Sequence, residues 1–313
     1  MEGGVCSGAA RFFEEVARAN ARGLAALMGV CNVTPDSFSD GGITADPEAA
    51  LAQVDRLVRE GAGIVDIGGE STRPGAARVP ADAQLARIEE VVARAAERVV
   101  VSVDTTLAEV AERTLTRGAH AVNDVSLLSD PDLAGVVARH GAALVLSHAR
   151  GSQADMAGFG AWPEHAYGDV VDDVLADLER ARARAIAAGV APRAIVLDPG
   201  LGFSKSAAHS LELLRRTREL VRRAGGPVLV GASRKSFLGA ACSEPDPKKR
   251  LGASLAAAVH AQRCGAAIVR VHDVRETQQA LTLDALLGAP DDPRAGRDPR
   301  APSGHQSDRE APC

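Results

Sequence analysis

The chain of 313 residues has few aromatic side chains and no long apolar run. Aromatic residues make up only 3% of it, and alanine is abundant, which suits helices packed closely on a sheet. No apolar stretch reaches the roughly 20 residues that a membrane helix needs. The first residues also lack the basic segment and apolar core of a secretory signal. The sequence therefore predicts a cytoplasmic protein that has no membrane partner.

Cysteine is scarce as well, and the net charge of the chain is negative. The five cysteines show no Cys-x-x-Cys pair and no regular spacing, which predicts free thiols rather than a disulfide framework or a zinc site. The net charge of −5 argues against a nucleic-acid partner. An anionic ligand would therefore have to be held by a local group of cationic side chains.

Lysine is rare too, since only four of the 36 basic residues are lysines. Two of these four stand in polar clusters, Lys205 in Gly-Phe-Ser-Lys and Lys235 in Ser-Arg-Lys. A compact ammonium group is not interchangeable with a guanidinium, so these two positions are candidates for a specific role. For Lys205, chance is an equally good explanation. For Lys235 the surrounding residues favour a role.

What the chain does contain is a repeated pattern in which a short apolar run ends on polar residues. Eight such runs alternate with segments whose apolar residues recur at the helical period. Asp46, as N-cap, and Pro47, as first helical residue, predict the start of the first of these helices. The runs begin near Met28, Ile64, Val99, Ala121, Leu144, Ile195, Val228 and Ile268. A doubly wound sheet would concentrate polar residues at one switch point. Polar residues at all eight ends instead predict an α/β fold of the (β/α)8 TIM-barrel type with its site at these ends.

The barrel is predicted to span residues 24–288, with an accessory segment before it and a tail after it. Residues 1–23 form the accessory segment, with a helix near Phe12 to Arg18. The tail, residues 289–313, holds five prolines and no Val, Ile, Leu or aromatic residue, which predicts disorder. The long stretch from Gly151 to His165 is interpreted as a solvent-facing loop rather than a lid.

Three acidic or amide side chains at strand ends suggest a ligand with a nitrogen-rich ring. Asp104, Asn123 and Asp198 follow the third, fourth and sixth runs. Carboxylates pair well with adjacent amino and ring N–H groups, such as those of a 2-amino-4-oxopyrimidine. Each residue alone could equally be a helix cap or part of a turn. Their coincidence at one end of the barrel favours binding.

Cationic side chains are concentrated after the second, seventh and eighth runs, and they suggest an anion site. These are Arg73, Arg234, Lys235, Arg270 and His272. The last strands of such barrels often supply a phosphate site, so a diphosphate is a suitable ligand. Asn32 follows the first run and is neutral, so it suits a weakly held Mg²⁺ bridged mainly by phosphate oxygens.

Two polar loops that contain glycine and proline, residues 34–42 and 70–76, are longer than a barrel turn requires. Loops of this kind can close over a site and exclude water from a reactive intermediate. Ordinary surface loops would not explain the apolar Phe38 within the first of them.

Seven motifs, read in order, resemble one family. They are MGVCNVTPDSFSDGG, DIGGESTRPGA, SVDT, VNDVS, LDPGLGFSK, GASRKSF and RVHDV. Together they resemble the dihydropteroate synthases, from about Ala25 to about Leu287. The resemblance implies a TIM-barrel transferase of folate biosynthesis, commonly a homodimer. Such an enzyme joins 6-hydroxymethyl-7,8-dihydropterin diphosphate to 4-aminobenzoate and releases diphosphate.

The resemblance also implies roles for individual residues. For the pterin ring they are Asp104, Asn123, Asp198 and Lys235, with Gly202 and Phe203 in the pocket wall. For the diphosphate they are Arg73, Arg270 and His272, with Asn32 binding Mg²⁺ through the phosphates, and Arg234 is a further candidate for substrate binding. For aminobenzoate they are Phe38, Thr72, Pro74, Lys235 and Ser236, with Asp40 helping the first loop to close. Asp104, Lys235 and Arg270 would be the catalytic residues. In this family the diphosphate leaves before the amine attacks.

The chain departs from the family pattern at the fifth strand, where Ser147-His148 stands in place of the usual Met-His. Cys31 in place of a common leucine is a smaller change. Three other kinds of protein share parts of this pattern. A pterin-binding methyltransferase that serves a corrinoid protein should lack the STRPGA and SRKS loops. A non-catalytic paralogue should have lost Asp104, Lys235 or Arg270. A paralogue that acts on another arylamine stays open.

Overall fold

The structure is a computed structural model, and it describes residues 7–34, 46–70, 78–151 and 163–288. Eight parallel strands form a single sheet. Their bounds are β1 Ala26–Asn32, β2 Ile64–Gly68, β3 Val100–Asp104, β4 Ala121–Asp124, β5 Ala143–Ser147, β6 Ile195–Asp198, β7 Leu229–Val230 and β8 Ile268–Val271. All eight coincide with the apolar runs of the sequence, because strands buried on both faces need such runs.

The sheet curls into a barrel. Neighbouring strands follow one another from β6 back to β1, and β1 then pairs with β8, which pairs with β7. An isolated parallel bridge between Leu197 and Val228 joins β6 to β7, and the Leu197 amide donates to the Pro227 carbonyl at 3.0 Å. Contact between the two ends of the sheet excludes a doubly wound arrangement and confirms the predicted (β/α)8 fold.

Eleven α-helices lie in the part of the chain that is described. Their bounds are α1 Gly8–Asn20, α2 Pro47–Glu60, α3 Ala81–Ala96, α4 Ala108–Thr116, α5 Leu133–His140, α6 Val170–Ala187, α7 Ala207–Arg215, α8 Thr217–Arg223, α9 Ser236–Cys242, α10 Leu251–Arg263 and α11 Val274–Leu287. Helix α2 has the predicted cap, since the Asp46 carboxylate accepts from the Glu48 amide at 3.0 Å. It ends at Gly61, whose φ of 112° lies in the left-handed region. No described helix is long and apolar enough to cross a membrane.

Two helical features differ from the sequence prediction. The helical period of the sequence predicts one helix over residues 210–223, but the structure has α7 and α8 with a break at Arg216. The Thr217 hydroxyl donates to the Leu213 and Leu214 carbonyls at 3.2 and 2.7 Å, which satisfies groups at the end of α7. The short helix α9 was not predicted, because seven residues are too few to show a helical period.

Helix α1 closes the barrel at the end where the strands begin. It lies within the segment 1–23 that was expected to be accessory. Its buried side chains Phe12 and Val16 pack against the inward-facing residues near the strand starts. These are Ala26, Met28, Ile64, Val100, Ala121, Ala143, Val145, Val196, Leu229 and Ile268. The predicted disordered tail, residues 289–313, lies outside the described residues.

Candidate functional site

The polar ends of the strands meet at the opposite end of the barrel. Strand register pairs Asp104 with Asn123 across β3 and β4, and Ser147 with Asp198 across β5 and β6. All four residues are almost fully buried. The three side chains that the sequence suggested for a nitrogen-rich ring, Asp104, Asn123 and Asp198, therefore lie on one face of the barrel end.

Arg270 joins this group through two carboxylates. Its Nε donates to Asp66 Oδ2 at 2.7 Å, and its Nη2 donates to Asp104 Oδ2 at 2.9 Å. Asn123 Nδ2 also donates to Asp66 Oδ2, at 3.0 Å. Asp66 thus links the cation to the amide and lies at the centre of the cluster.

Asp66 is a site residue that the pattern of polar strand ends does not predict. It lies inside a buried strand rather than at the end of one. A signal was present, because a fully buried carboxylate in an apolar run needs a cation or several hydrogen-bond donors as partners. Asp66 is completely inaccessible to solvent and obtains these partners from β8 and β4.

Two carboxylate oxygens of the cluster have unused acceptor capacity. Asp66 Oδ1 and Asp104 Oδ1 are buried and have no hydrogen-bond partner among the described residues. Burial raises the pKa of Asp104 to about 7, while Arg270 opposes the rise and the negative charge of Asp66 adds to it. A buried acceptor without a donor is unfavourable in the free protein, and a ligand that brings N–H groups would relieve it.

Asp198 and Asn123 are oriented by donors on either side. Asp198 Oδ1 accepts from the Gly200 amide at 2.8 Å, and its Oδ2 accepts from the Ser147 hydroxyl at 3.0 Å. The same hydroxyl lies 3.3 Å from Asn123 Oδ1. The carboxylate is therefore held in one plane before any ligand arrives.

The wall of the site is formed by the loop after β6, which carries Gly202 and Phe203, together with Lys235 from the loop after β7. The Lys235 ammonium lies 4.2 Å from the centroid of the Phe203 ring and donates to the Leu201 carbonyl. Burial lowers the pKa of Lys235 to about 8, and nearby Asp198 opposes the shift. Gly202 is fixed by a 3.1 Å hydrogen bond from its amide to the Ser210 hydroxyl.

His272 lies close to Ser233, whose hydroxyl is 3.2 Å from the His272 amide and 3.1 Å from its Nδ1. Arg234, with a φ of 61°, turns its guanidinium to Asp273 in a bidentate ion pair that includes a 3.0 Å contact. Ser236 is the first residue of α9. Arg270 and Lys235 therefore lie with the acidic cluster of Asp66, Asp104 and Asp198. Arg234 instead pairs with Asp273, outside that cluster.

Asn32 is the last residue of β1 and is partly exposed. A side chain built at Gly68 would lie 3.6 Å from Asn32 Oδ1 and 3.4 Å from the Asp104 Cβ, so these two residues flank Gly68. Among the described residues, no group of three or more His, Cys, Asp or Glu side chains could hold a metal ion.

Five of the predicted site residues lie outside the described residues, namely Phe38, Asp40, Thr72, Arg73 and Pro74. The residues just before and after segment 71–77 are tied together. The Glu70 carboxylate accepts from the Val79 amide at 2.9 Å and from Gln84 Nε2 at 3.0 Å. Glu70 thereby fixes the distance between the two ends of that segment.

A second buried ionisable cluster lies beside the pocket wall. The Lys205 ammonium is 2.8 Å from His148 Nδ1, and it donates to the Gly200 and Phe203 carbonyls at 3.1 and 3.0 Å. His148 Nε2 lies 3.0 Å from Asp177 Oδ2. Burial and the neighbouring Lys205 lower the pKa of His148 to about 3, so the ring is neutral, accepts from Lys205 and donates to Asp177. Lys205 therefore anchors the loop that carries Phe203.

Known proteins with similar sequences and structures support the interpretation of this site. Residues 28–272 match the family of pterin-binding enzymes. The dihydropteroate synthase of Mycobacterium leprae is 47% identical over 270 residues, which cover 82% of this chain and 91% of the relative. The structure of the Xanthomonas albilineans dihydropteroate synthase with 4-aminobenzoic acid is 40% identical, with a TM-score of 0.78 over 85% of this chain and 94% of that one. The Xanthomonas enzyme in complex with 7,8-dihydropteroate is 37% identical, with a TM-score of 0.74 over 85% and 95% of the two chains.

Fold and site define a (β/α)8-barrel enzyme whose polar strand ends lie together at one end of the barrel. The chain belongs to the family of pterin-binding enzymes and, within it, to the dihydropteroate synthases, which are transferases of folate biosynthesis. The resemblance inferred from the seven motifs is confirmed. The methyltransferase alternative loses its support, because the matched relatives are synthases over nearly their whole length.

Proposed function

We propose that this chain joins 6-hydroxymethyl-7,8-dihydropterin diphosphate to 4-aminobenzoate, giving 7,8-dihydropteroate and diphosphate. The observation that carries the proposal is the group of buried acceptors at the barrel end, with Arg270 and Lys235 beside it. The 2-amino and ring N–H groups of a pterin are donors of the kind that Asp198 and Asp104 can accept from. Arg270 and His272, together with Arg73, are the candidates for holding the diphosphate.

The proposed mechanism is dissociative. The bond between the pterin methylene carbon and the diphosphate oxygen breaks first, and its electron pair leaves with the diphosphate. The methylene cation is delocalised into the ring, and ionised Asp104, close to that ring, stabilises the positive charge. The amine nitrogen of aminobenzoate then attacks the methylene carbon and loses a proton. Because aminobenzoate is a weak nucleophile, the formation of a reactive cation is more effective than activation of the amine.

Magnesium fits this site only as an ion carried mainly by the substrate. Asn32 offers one neutral oxygen, and the described residues contain no carboxylate cage. Mg²⁺ bound with the diphosphate would neutralise charge on the leaving group. Asn32 would orient the metal–diphosphate unit beside Asp104, from which it is separated only by Gly68.

The assignment of the second substrate follows the family motifs. Ser236 and Lys235 would contact aminobenzoate together with Phe38, Thr72 and Pro74, and Asp40 would help to close the first loop. Ser236 supports this role by its position at the start of α9, next to Lys235. The location of the protein in the cytoplasm stays a prediction.

A diphosphate-release assay tests the function directly. The protein is supplied with the pterin diphosphate and Mg²⁺, and release is measured with aminobenzoate present or omitted. Release that depends on aminobenzoate, with dihydropteroate identified by mass spectrometry, is expected. Release without formation of dihydropteroate would contradict the proposal, and a screen of other arylamines would then test the specialised paralogue.

Sulfonamide sensitivity is expected, because sulfonamides resemble aminobenzoate and would occupy the same frame. The enzyme should be inhibited competitively with aminobenzoate, and a folate-pathway null strain complemented by this chain should stop growing at high sulfonamide. Growth of that strain at high sulfonamide, while it expresses the protein, would contradict the assigned frame.

A homodimer is proposed on the basis of the family and of one apolar surface. Leu283, Leu286 and Leu287 on α11 are 58%, 71% and 71% exposed, although they are large aliphatic side chains. Sedimentation of the purified protein should give twice the monomer mass. Replacement of Leu286 and Leu287 by glutamine should yield a monomer if this surface is the interface.

A further inference from the structure

Ser147 stands between two residues of the proposed pterin site. It is the last residue of β5 and only 1% exposed. Its hydroxyl oxygen lies 3.0 Å from Asp198 Oδ2 and 3.3 Å from Asn123 Oδ1.

The orientation of Asn123 shows which acceptor oxygens face the Ser147 hydroxyl. Asn123 Nδ2 is engaged with Asp66 Oδ2 at 3.0 Å, so its carbonyl oxygen is turned towards Ser147. Two acceptor oxygens, one from Asn123 and one from Asp198, therefore face the same hydroxyl. The hydroxyl has a single proton, and the shorter bond goes to the carboxylate, which is also the stronger acceptor.

The effect on Asp198 is to fix the plane of its carboxylate. One oxygen accepts from the Gly200 amide at 2.8 Å and the other from Ser147 at 3.0 Å. A carboxylate oxygen has two lone-pair sites, so each oxygen keeps capacity for a ligand N–H. The two donors come from different elements, a loop and a strand, and together they remove the rotational freedom that a ligand would otherwise have to restrict.

We propose that Ser147 is a positioning residue that holds Asp198 ready for the amino-pyrimidine edge of the pterin ring. In this role it sets the affinity for the pterin substrate and contributes little to the chemical step. The inference rests on the proposed function, because it assigns the ring to this edge of the pocket.

The chain offers a matched control in Ser102. Ser102 is also a strand serine of the barrel, and it is completely inaccessible to solvent. Its hydroxyl has no hydrogen-bond partner among the described residues, so it has no hydrogen bond to Asp198 or Asn123. Ser102→Ala therefore reports the effect of removing a buried hydroxyl from the barrel without disturbing the proposed positioning.

Three variants of Ser147 separate hydrogen bonding from packing. Ser147→Ala removes the donor, Ser147→Thr keeps it, and Ser147→Met fills the volume without donating. The affinity for 6-hydroxymethylpterin, which has no diphosphate to lose, is measured by calorimetry. The kcat and the KM for each substrate are measured in the diphosphate-release assay, and thermal unfolding checks that each variant is folded.

For Ser147→Ala and Ser147→Met, the Kd for 6-hydroxymethylpterin and the KM for the pterin diphosphate should rise about 10-fold, the scale of one hydrogen bond to a charged group. The kcat and the KM for aminobenzoate should change less than about 2-fold, as should all constants of Ser147→Thr and Ser102→Ala.

Unchanged pterin affinity in Ser147→Ala would overturn the inference, and so would full affinity in Ser147→Met, since packing would then explain the residue. Failure of the wild-type chain to make dihydropteroate would instead contradict the proposed function, while the calorimetric comparison would still test Ser147.

Discussion

Two buried ionisable clusters lie at the same end of this barrel, and they differ in how completely their hydrogen bonds are satisfied. In the first, Asp66 and Asp104 share Arg270, yet each keeps one oxygen without a partner among the described residues. In the second, Lys205 has three acceptors at 3.1 Å or less, and His148 uses both ring nitrogens.

From this difference we infer that the first group is prepared for a ligand and that the second holds the fold. Burial of charge is unfavourable unless partners compensate it, so the second cluster has its own partners. The first cluster is incomplete until a donor-bearing ligand arrives. Incomplete satisfaction next to a pocket is therefore a better indicator of function here than burial or a shifted pKa, which both clusters have.

The largest expected effect is on turnover. Asp104→Asn should lower kcat about 100-fold or more, because it removes the negative charge next to the developing cation. It should weaken diphosphate binding far less, since the amide oxygen can still accept from Arg270. Steady-state kinetics measures kcat, and product inhibition by diphosphate measures its binding, with Asp172→Asn on the outer surface as control. A kcat equal to that of the wild type would remove the role given to Asp104.

The next effect is on stability. Lys205→Met leaves the Gly200 and Phe203 carbonyls and His148 Nδ1 without their donor, which should lower the free energy of unfolding by about 3 kcal/mol. Urea unfolding measures the change, and the same substitution at exposed Lys248 is the control. If Lys205→Met is as stable as the wild type but inactive, the second cluster belongs to the catalytic site and the comparison fails.

A smaller effect is expected in the pH dependence of kcat/KM for the pterin diphosphate. Activity needs ionised Asp104, whose raised pKa of about 7 makes activity increase as the pH rises through 7. It also needs protonated Lys235, whose lowered pKa of about 8 makes activity fall as the pH rises through 8. The residual activity of Asp104→Asn should lack the acidic limb. A variant profile with the same acidic limb would show that another group titrates there.

The smallest effect is expected on the helical surface. Arg94 pairs with Glu48 at 2.6 Å and with Glu90 at 3.2 Å, but all three side chains are well exposed. Solvent and salt screen such pairs, so Arg94→Gln should leave the melting temperature and the kinetic constants unchanged. A clear loss of stability would show that exposed charge pairs contribute more to stability, relative to buried ones, than expected.

Most of the fold could be predicted from the sequence because its signals are local. Apolar runs mark strands that are buried on both faces, and Asp46, Pro47 and Gly61 mark a helix by their backbone chemistry. The break between α7 and α8 at Arg216 could not be predicted from such local signals, because it depends on which carbonyls the Thr217 hydroxyl reaches in the folded chain.

The site was predictable only in part, for a physical reason. Asp104, Asn123 and Asp198 stand at strand ends, and parallel strands bring such ends together whatever the register. The link through Asp66 and the bridge by Ser147 depend on register and depth, which pair Ser147 with Asp198 across two strands. Lys205 stood out only because lysine is rare in this chain, and the structure assigns its ammonium to the carbonyls of the pocket wall.

The helix that closes the barrel, α1, has a consequence for molecular traffic. Phe12 and Val16 fill the end where the strands begin, and a layer of aliphatic side chains lies above them. Among the described residues this packing blocks that end, so ligands have to enter and leave at the opposite end, where the strands finish. Dihydropteroate therefore leaves by the same end of the barrel at which both substrates enter. Its release should limit the rate once chemistry is fast.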